Sequence, residues 1–247
     1  MPLWQGNPLE LLHTRLNRCP TSSSSKCIYY IISISDSGLT ITMTEISPTP
    51  HKSIDYTGAK LGMWLFLFTE IILFGGMFLG YSEYRQVNTS DFHDAAKEMS
   101  LFFGALNTII LLTSSLTMAL SISAIKQGAK VRSMLLQATT IILGAAFLGN
   151  KFIEWREHIL HGFYPDSPEL LTMSHGKILY FGLYYVMTGI HGLHVLIGMG
   201  VICFMFVLTQ LNKVSSTDYI KLENTGLFWH LVDIIWIYLF PLFYLIK

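Results

Sequence analysis

Two imidazoles three residues apart, His191 and His194, lie in Thr188–Gly198, TGIHGLHVLIG. The stretch sits inside an apolar segment long enough to cross a bilayer, where lipid contact would select leucine. A polar pair at that depth costs free energy unless a partner satisfies it. Residues i and i+3 share one helix face, and Gly189, Gly192 and Gly198 are small enough for another backbone to approach closely. Imidazole ligates haem, but the two axial ligands of one iron lie on opposite haem faces, which this spacing does not allow. Copper or zinc would need His191, His194 and His230 together. The simpler reading is hydrogen bonding between helices, to Glu154, Asp233 or a backbone carbonyl.

Glu70 is the sharpest single residue. It stands in WLFLFTEIILFGG, with no cation near it in sequence, about 14 Å into the first apolar run at helical rise. An ionised carboxylate there is expensive, so Glu70 is protonated or meets a lipid headgroup, water or another chain. Proton handling, contact between subunits and a plain helix–helix hydrogen bond all remain open. Glu154, in KFIEWREH, has Lys151, Arg156, Glu157 and His158 around it, which reads as an interfacial charge cluster anchored by Trp155. His230 and Asp233, in FWHLVDIIW, can share one polar face. Ser114, Ser115, Thr117, Ser121 and Ser123 offer small polar packing along one span.

The elements that must position these groups follow from composition. Of 247 residues, 51% are apolar and 13% charged, the latter about half of the ~25% usual in soluble domains. The apolar residues cluster in long runs, so the expected fold is an all-α polytopic membrane bundle with five transmembrane helices. The spans read as about 61–81, 101–125, 134–155, 178–208 and 226–246. Net charge is zero and gives no reason to expect a nucleic-acid partner. Cys19, Cys27 and Cys203 lack the spacing of a disulfide framework, a zinc site or an iron–sulfur site. No catalytic triad, phosphate loop or dinucleotide fingerprint occurs.

Residues 1–57 read as a disordered or non-native leader, with Met43 a plausible second start, and 58–247 as the membrane domain. With the N-terminus cytoplasmic, seven basic residues near the span ends fall inside and six outside, Lys151 counted among the six. The loop at 126–133 carries three positive charges and no acid, which favours N-terminus inside and C-terminus outside.

Five segments resemble, in order, the third subunit of haem–copper oxidases. GMWLFLFTEIILFGGMFLGY is similar to that family's first core helix, including the carboxylate at Glu70. LNTIILLTSSLTMALSISAIKQG is similar to the next, and the segment from Leu135–Gln137 to Glu154–Trp155 to the one ending in an acidic–aromatic pair. TGIHGLHVLIG and FWHLVDIIWIYLF complete the set. The resemblance covers about 58–246.

It implies an accessory subunit of a proton-pumping cytochrome c oxidase, packed against the catalytic subunit I and subunit II. Haem and copper would sit on those partners and none on this chain. The subunit would bind phospholipid, stabilise the catalytic subunit and support proton uptake. Glu70, Glu154, His191, His194, His230 and Asp233 would serve structure and lipid contact. The family's longer form has two further helices ahead of the first motif, which residues 1–57 do not supply. That points to the five-helix bacterial form in a plasma membrane. Three rivals stand beside this reading: a quinol oxidase subunit, which shares the same motifs; a small-solute or proton transporter, which would need an inverted repeat or broken helices; and a membrane cytochrome.

Overall fold

The computed structural model describes residues 27–35, 38–46, 56–165, 167–216 and 218–246. The chain divides into two compact units, Met1–Ile54 and Asp55–Lys247.

In the first unit, β1 (Cys27–Ser35) and β2 (Gly38–Ile46) pair antiparallel, Cys27 opposite Ile46 and Ser35 opposite Gly38. These strands fall within the segment read from sequence as a disordered or non-native leader. The register sets Ile31 opposite Thr42 and Ile32 opposite Ile41, and β-branched residues favour the extended backbone. Met43 lies within β2, opposite Tyr30. Residues 1–26 of the expected leader lie outside the described residues.

The second unit is helical: α1 (Tyr56–Val87), α2 (Thr89–Lys97), α3 (Leu101–Lys126), α4 (Lys130–Leu160), α5 (Pro168–Leu171), α6 (His175–Gln210) and α7 (Ile220–Tyr244). Five of them, α1, α3, α4, α6 and α7, are long and apolar enough to cross a membrane. Each extends past the apolar run that predicts it at one end or both, because the helical backbone stays hydrogen-bonded as it enters the polar interface.

The buried face of α4 is polar. The buried residues of α4 are Ser133, Gln137, Thr140, Gly144, Phe147, Lys151, Glu154 and His158. They alternate by four and three, the seam of a left-handed helix pair. Lipid is as apolar as leucine, so the apolar side chains face outward and small or polar ones pack inside. α3 answers with its own seam of Asn107, Ser114 and Ser121. Ser121 Oγ lies 3.0 Å from Ser133 Oγ, and Thr117 Oγ1 lies 2.8 Å from Thr140 Oγ1. Trp229 Nε1 on α7 donates to Ser114 Oγ at 3.0 Å.

Three long helices end in the same way. At α3, Gly128 takes φ +76°, its N–H reaches Ile125 O and that of Ala129 reaches Ala124 O. Gly162 after α4 repeats this with Ile159 and His158, and Asn212 after α6, at φ 57°, with Thr209 and Leu208. This paired bonding satisfies carbonyls that a helix end leaves open, and it needs a left-handed residue. The start of α6 is tied from a distance: Gly176 N–H donates to Asp91 Oδ2 on α2, 3.2 Å away.

α7 is the central helix. It buries Phe228, Trp229, Val232, Asp233, Trp236 and Phe243 among others, as expected of a helix that is apolar all round. By contrast α1 is peripheral. It buries Leu67, Phe74 and Tyr81 and leaves Leu61, Trp64, Phe68, Ile72 and Leu79 exposed.

Candidate functional site

The intramembrane polar residues do not form one network; they separate into distinct groups. The first joins α1 to α6. Glu70 Oε2 lies 2.9 Å from His194 Nε2, and His194 Nδ1 lies 2.8 Å from the carbonyl oxygen of Ile190. A carbonyl only accepts, so Nδ1 carries a proton. The contact at Nε2 then needs one further proton, on the ring or on the carboxyl. In either form the pair is neutral overall, which removes the cost of a lone carboxylate. Phe74 meets the imidazole edge-on at 5.3 Å. Both side chains keep 14% exposure, so the pair is shielded but not sealed.

The second group lies inside the bundle. Lys151 Nζ contacts Glu154 Oε2 at 3.0 Å, the Tyr184 hydroxyl at 2.9 Å and the Tyr244 hydroxyl at 2.7 Å. An ammonium has three N–H donors, and all three are used. The tyrosines pass their own protons on, Tyr184 to Glu154 Oε1 at 3.0 Å and Tyr244 to the same oxygen. Donors and acceptors balance with Lys151 cationic and Glu154 anionic. The ammonium also stands 5.1 Å from the Trp236 ring centroid, and Trp236 Nε1 donates to Thr108 Oγ1 at 3.1 Å. One ion pair thus ties α3, α4, α6 and α7.

The interfacial reading of Glu154 is corrected here: Glu154 is 1% and Lys151 7% exposed. The charges near the end of α4 suggested a wet surface, but the two residues fall on its buried seam. Lys151, Tyr184 and Tyr244 are the residues that sequence reasoning missed as a group. The missed signal is the four–three spacing that links Lys151 and Glu154 to Gly144 and Phe147.

The remaining candidates stand apart. Ser115 Oγ lies 2.6 Å from His230 Nδ1. Asp233 is buried, and neither of its carboxyl oxygens has a hydrogen-bond partner among the described residues. His191 is fully buried, stacked on Trp236 at 5.4 Å with Phe147 edge-on at 5.6 Å, and its ring nitrogens likewise have no partner there. The expected bonds from the histidines to Glu154 or Asp233 do not form. His191 lies on the α6 seam with Met187, Val195 and Gly198, whereas His194 falls beside it and turns to α1. Spacing gave the shared face but not the neighbours. Nor do the glycines all serve close backbone approach. A Cβ at Gly198 would meet the Trp229 ring at 2.9 Å and one at Gly189 would meet Trp155 at 3.4 Å, while Gly192 has open space. Among the described residues, no three His, Cys, Asp or Glu side chains gather closely enough to hold a metal ion.

A family profile described as cytochrome c oxidase subunit III matches residues 40–247. The chain belongs to the cytochrome c oxidase subunit III family. It is a multi-pass membrane protein and an accessory subunit of a terminal oxidase, and so works in a complex with other oxidase subunits. Among its relatives is the cytochrome c oxidase subunit 3 of Thermostichus vulcanus, 32% identical over 204 residues, 79% of this chain and 90% of the relative. That of Alkalihalophilus pseudofirmus is 30% identical over 188 residues, 75% and 85% of the two chains. The cytochrome bo(3) ubiquinol oxidase subunit 3 of Pseudomonas putida is also 30% identical, over 191 residues, 75% and 84%. The subunit III match begins within β2, well ahead of the boundary at residue 58 that the apolar runs suggested. All five segments of the subunit III resemblance lie within it.

Proposed function

We propose that this chain serves a proton-pumping cytochrome c oxidase without carrying a redox centre itself, packing against a haem–copper subunit I and a subunit II. The observation that carries this reading is that Glu70, Lys151 and Glu154 are each engaged within the bundle. Glu70 is spent on His194, and Lys151 and Glu154 are spent on each other and two tyrosines. Groups so engaged build and hold a scaffold. The residues do not suit haem or copper: His191 is boxed by aromatic rings, and both nitrogens of His194 are engaged. Those groups therefore belong on the partners.

The bare outer face of α1 offers the subunit a surface for lipid, while the Glu70–His194 pair ties the inner seam of α1 to α6. Bound phospholipid, stabilisation of the catalytic subunit and support of proton uptake follow as its contribution. We place the chain in a bacterial plasma membrane with the N-terminus cytoplasmic and the C-terminus outside. Burial of Lys151 supports that orientation, because it removes one charge from the outer count of six and leaves seven inside against five outside.

Purification of the tagged chain from membranes tests the proposal. Recovery of subunits I and II, with oxygen consumption driven by reduced cytochrome c, is the expected result. A haem absorption band in the isolated chain would overturn the non-redox assignment. The quinol oxidase reading is favoured by the Pseudomonas putida relative; oxygen consumption driven by a quinol and not by cytochrome c would establish it.

A further inference from the structure

Asp233 lies near the middle of α7, 2% exposed, and neither of its carboxyl oxygens has a hydrogen-bond partner among the described residues. At helical rise it stands about 20 Å from one end of the helix and about 17 Å from the other, near mid-depth in the hydrocarbon. We propose that Asp233 is an internal proton-binding site, loaded and emptied through Ser115 and His230. The assignment goes beyond the oxidase-subunit reading and holds whichever electron donor the complex uses.

Charge is the first ground. A carboxylate at this depth with no cation or donor is expensive, and the neutral acid is the form that removes the cost. The surrounding helices offer nothing to offset it. Glu70 of α1 and His194 of α6 are engaged with each other. Lys151 of α4 spends its three N–H bonds on Glu154, Tyr184 and Tyr244. His191 of α6 is stacked on Trp236, one turn further along α7. From α3 the group at hand is Ser115, which has no charge.

Geometry is the second. The Ser115 hydroxyl stands beside the Asp233 carboxyl, close enough to act on it, without a bond in the resting arrangement. The terminal torsion of an aspartate is broad, and a turn of the carboxyl brings its O–H onto Ser115 Oγ. On its other side Ser115 Oγ lies 2.6 Å from His230 Nδ1. A hydroxyl carries one proton and two lone pairs, so it accepts from the acid while it donates to the imidazole. The O–H bond of Asp233 breaks, its proton passes to Ser115, and the serine's own proton forms the N–H bond at His230 Nδ1. The products are a carboxylate and an imidazolium, and no further reactant is needed. They stand one turn apart on one face of α7, where opposite charges attract. Reloading follows the same path in reverse.

Access is the third. Asp233 is sealed, but His230 is only partly buried, and its Nε2 has no hydrogen-bond partner among the described residues. Ile234, one turn from His230 on α7, is exposed, as are Leu112 and Leu116, which flank Ser115 on α3. The imidazole therefore reaches the surface of the bundle between α3 and α7. A proton enters or leaves there at Nε2, while one held on Asp233 is kept inside.

The test uses the full chain in phosphatidylcholine nanodiscs, with the side-chain carboxyl of aspartate labelled with carbon-13. Infrared spectroscopy at neutral pH reads the carbonyl stretch of protonated carboxyls, and the label separates aspartate from Glu70. The wild type should show one protonated aspartate, whose band shifts on transfer to D2O. Asp233→Asn should abolish the band. Ser115→Ala and His230→Gln should keep it and slow the shift in D2O by about tenfold or more, as loss of a positioned proton carrier does. Three results would overturn the site: no protonated aspartate in the wild type, a band that survives in Asp233→Asn, or exchange as fast in both relay variants as in the wild type. The labelled wild type decides the first point without any variant.

Discussion

The hydroxyl of Tyr81 on α1 donates to the carbonyl oxygen of Leu242 on α7, 2.5 Å away. Two further side chains act alike. Tyr180 of α6 donates to Phe243 O at 2.6 Å, and His93 of α2 lies 3.2 Å from Ile246 O. The last carbonyls of a helix have no partner within it. Here α1 and α6 each send a tyrosine hydroxyl to one of them, and α2 sends His93 to the exposed carbonyl of Ile246 just past the helix. The end of α7 is thus tied by polar bonds to α1 and α6, as its middle is tied to α3 through Trp229, His230 and Trp236.

Removing one of these donors tests the clamp. Tyr81→Phe keeps the ring contacts with Phe92 and Phe243 and leaves Leu242 O unsatisfied. Stability should fall by about 1–3 kcal/mol. Thermal unfolding of the detergent-solubilised protein measures the loss, and Tyr180→Phe should behave alike. No change in either variant would show that water replaces the donors.

The Glu70–His194 pair makes a graded prediction. Glu70→Gln keeps an N–H donor for His194 Nε2, while Glu70→Ala leaves that nitrogen unpaired. The alanine variant should lose more stability during turnover, with the haem spectrum of the assembled oxidase intact in both. Equal loss in the two variants would mean that charge, and not the hydrogen bond, matters at this position.

Lys151 offers the largest effect. Lys151→Met leaves Glu154 buried without its cation, a change expected to cost about 3–5 kcal/mol. Combining it with Glu154→Gln removes the stranded charge and should recover much of that loss. The measurement is the midpoint of unfolding in denaturant for the two single variants and the double variant. A double variant no better than Lys151→Met would show that the tyrosine bonds, and not the ion pair, carry the stability.

Gly192 and Gly198, about 1.7 turns apart on α6, should respond differently to the same substitution. Gly198→Ala drives a methyl into the Trp229 ring and should cost about 1–3 kcal/mol. Gly192→Ala meets nothing within 4 Å and should be neutral or gain up to about 1 kcal/mol of helix propensity. Unfolding midpoints of the two variants decide the matter.

The helices were legible because a span needs a long apolar run, and each run is bounded by charges. Glu70 was legible as a residue needing a partner, since nothing in its own helix could serve. Its partner was not, because the pairing of α1 with α6 is set by packing across 124 positions of chain. His191 and His194 read as one unit in sequence, yet a rotation of about 60° between them, three residues at ~100° each, sends them to different neighbours. Lys151 was hidden by chemical habit, as lysine near a span end ordinarily reaches for water. The strands at Cys27–Ser35 and Gly38–Ile46 were obscured by the serines ahead of them, although their own isoleucines and threonines carried the signal.

The Lys151–Glu154 group also bears on how the protein is made. Spans enter the bilayer in the order of synthesis, so α4 arrives before α6 and α7. At that moment Lys151 and Glu154 have only each other, and the hydroxyls of Tyr184 and Tyr244 do not yet exist in the membrane. α4 also has the lowest mean hydropathy of the five long helices. Lys151 and Glu154, one helical turn apart, complete their hydrogen bonds only when α6 and α7 have joined α4.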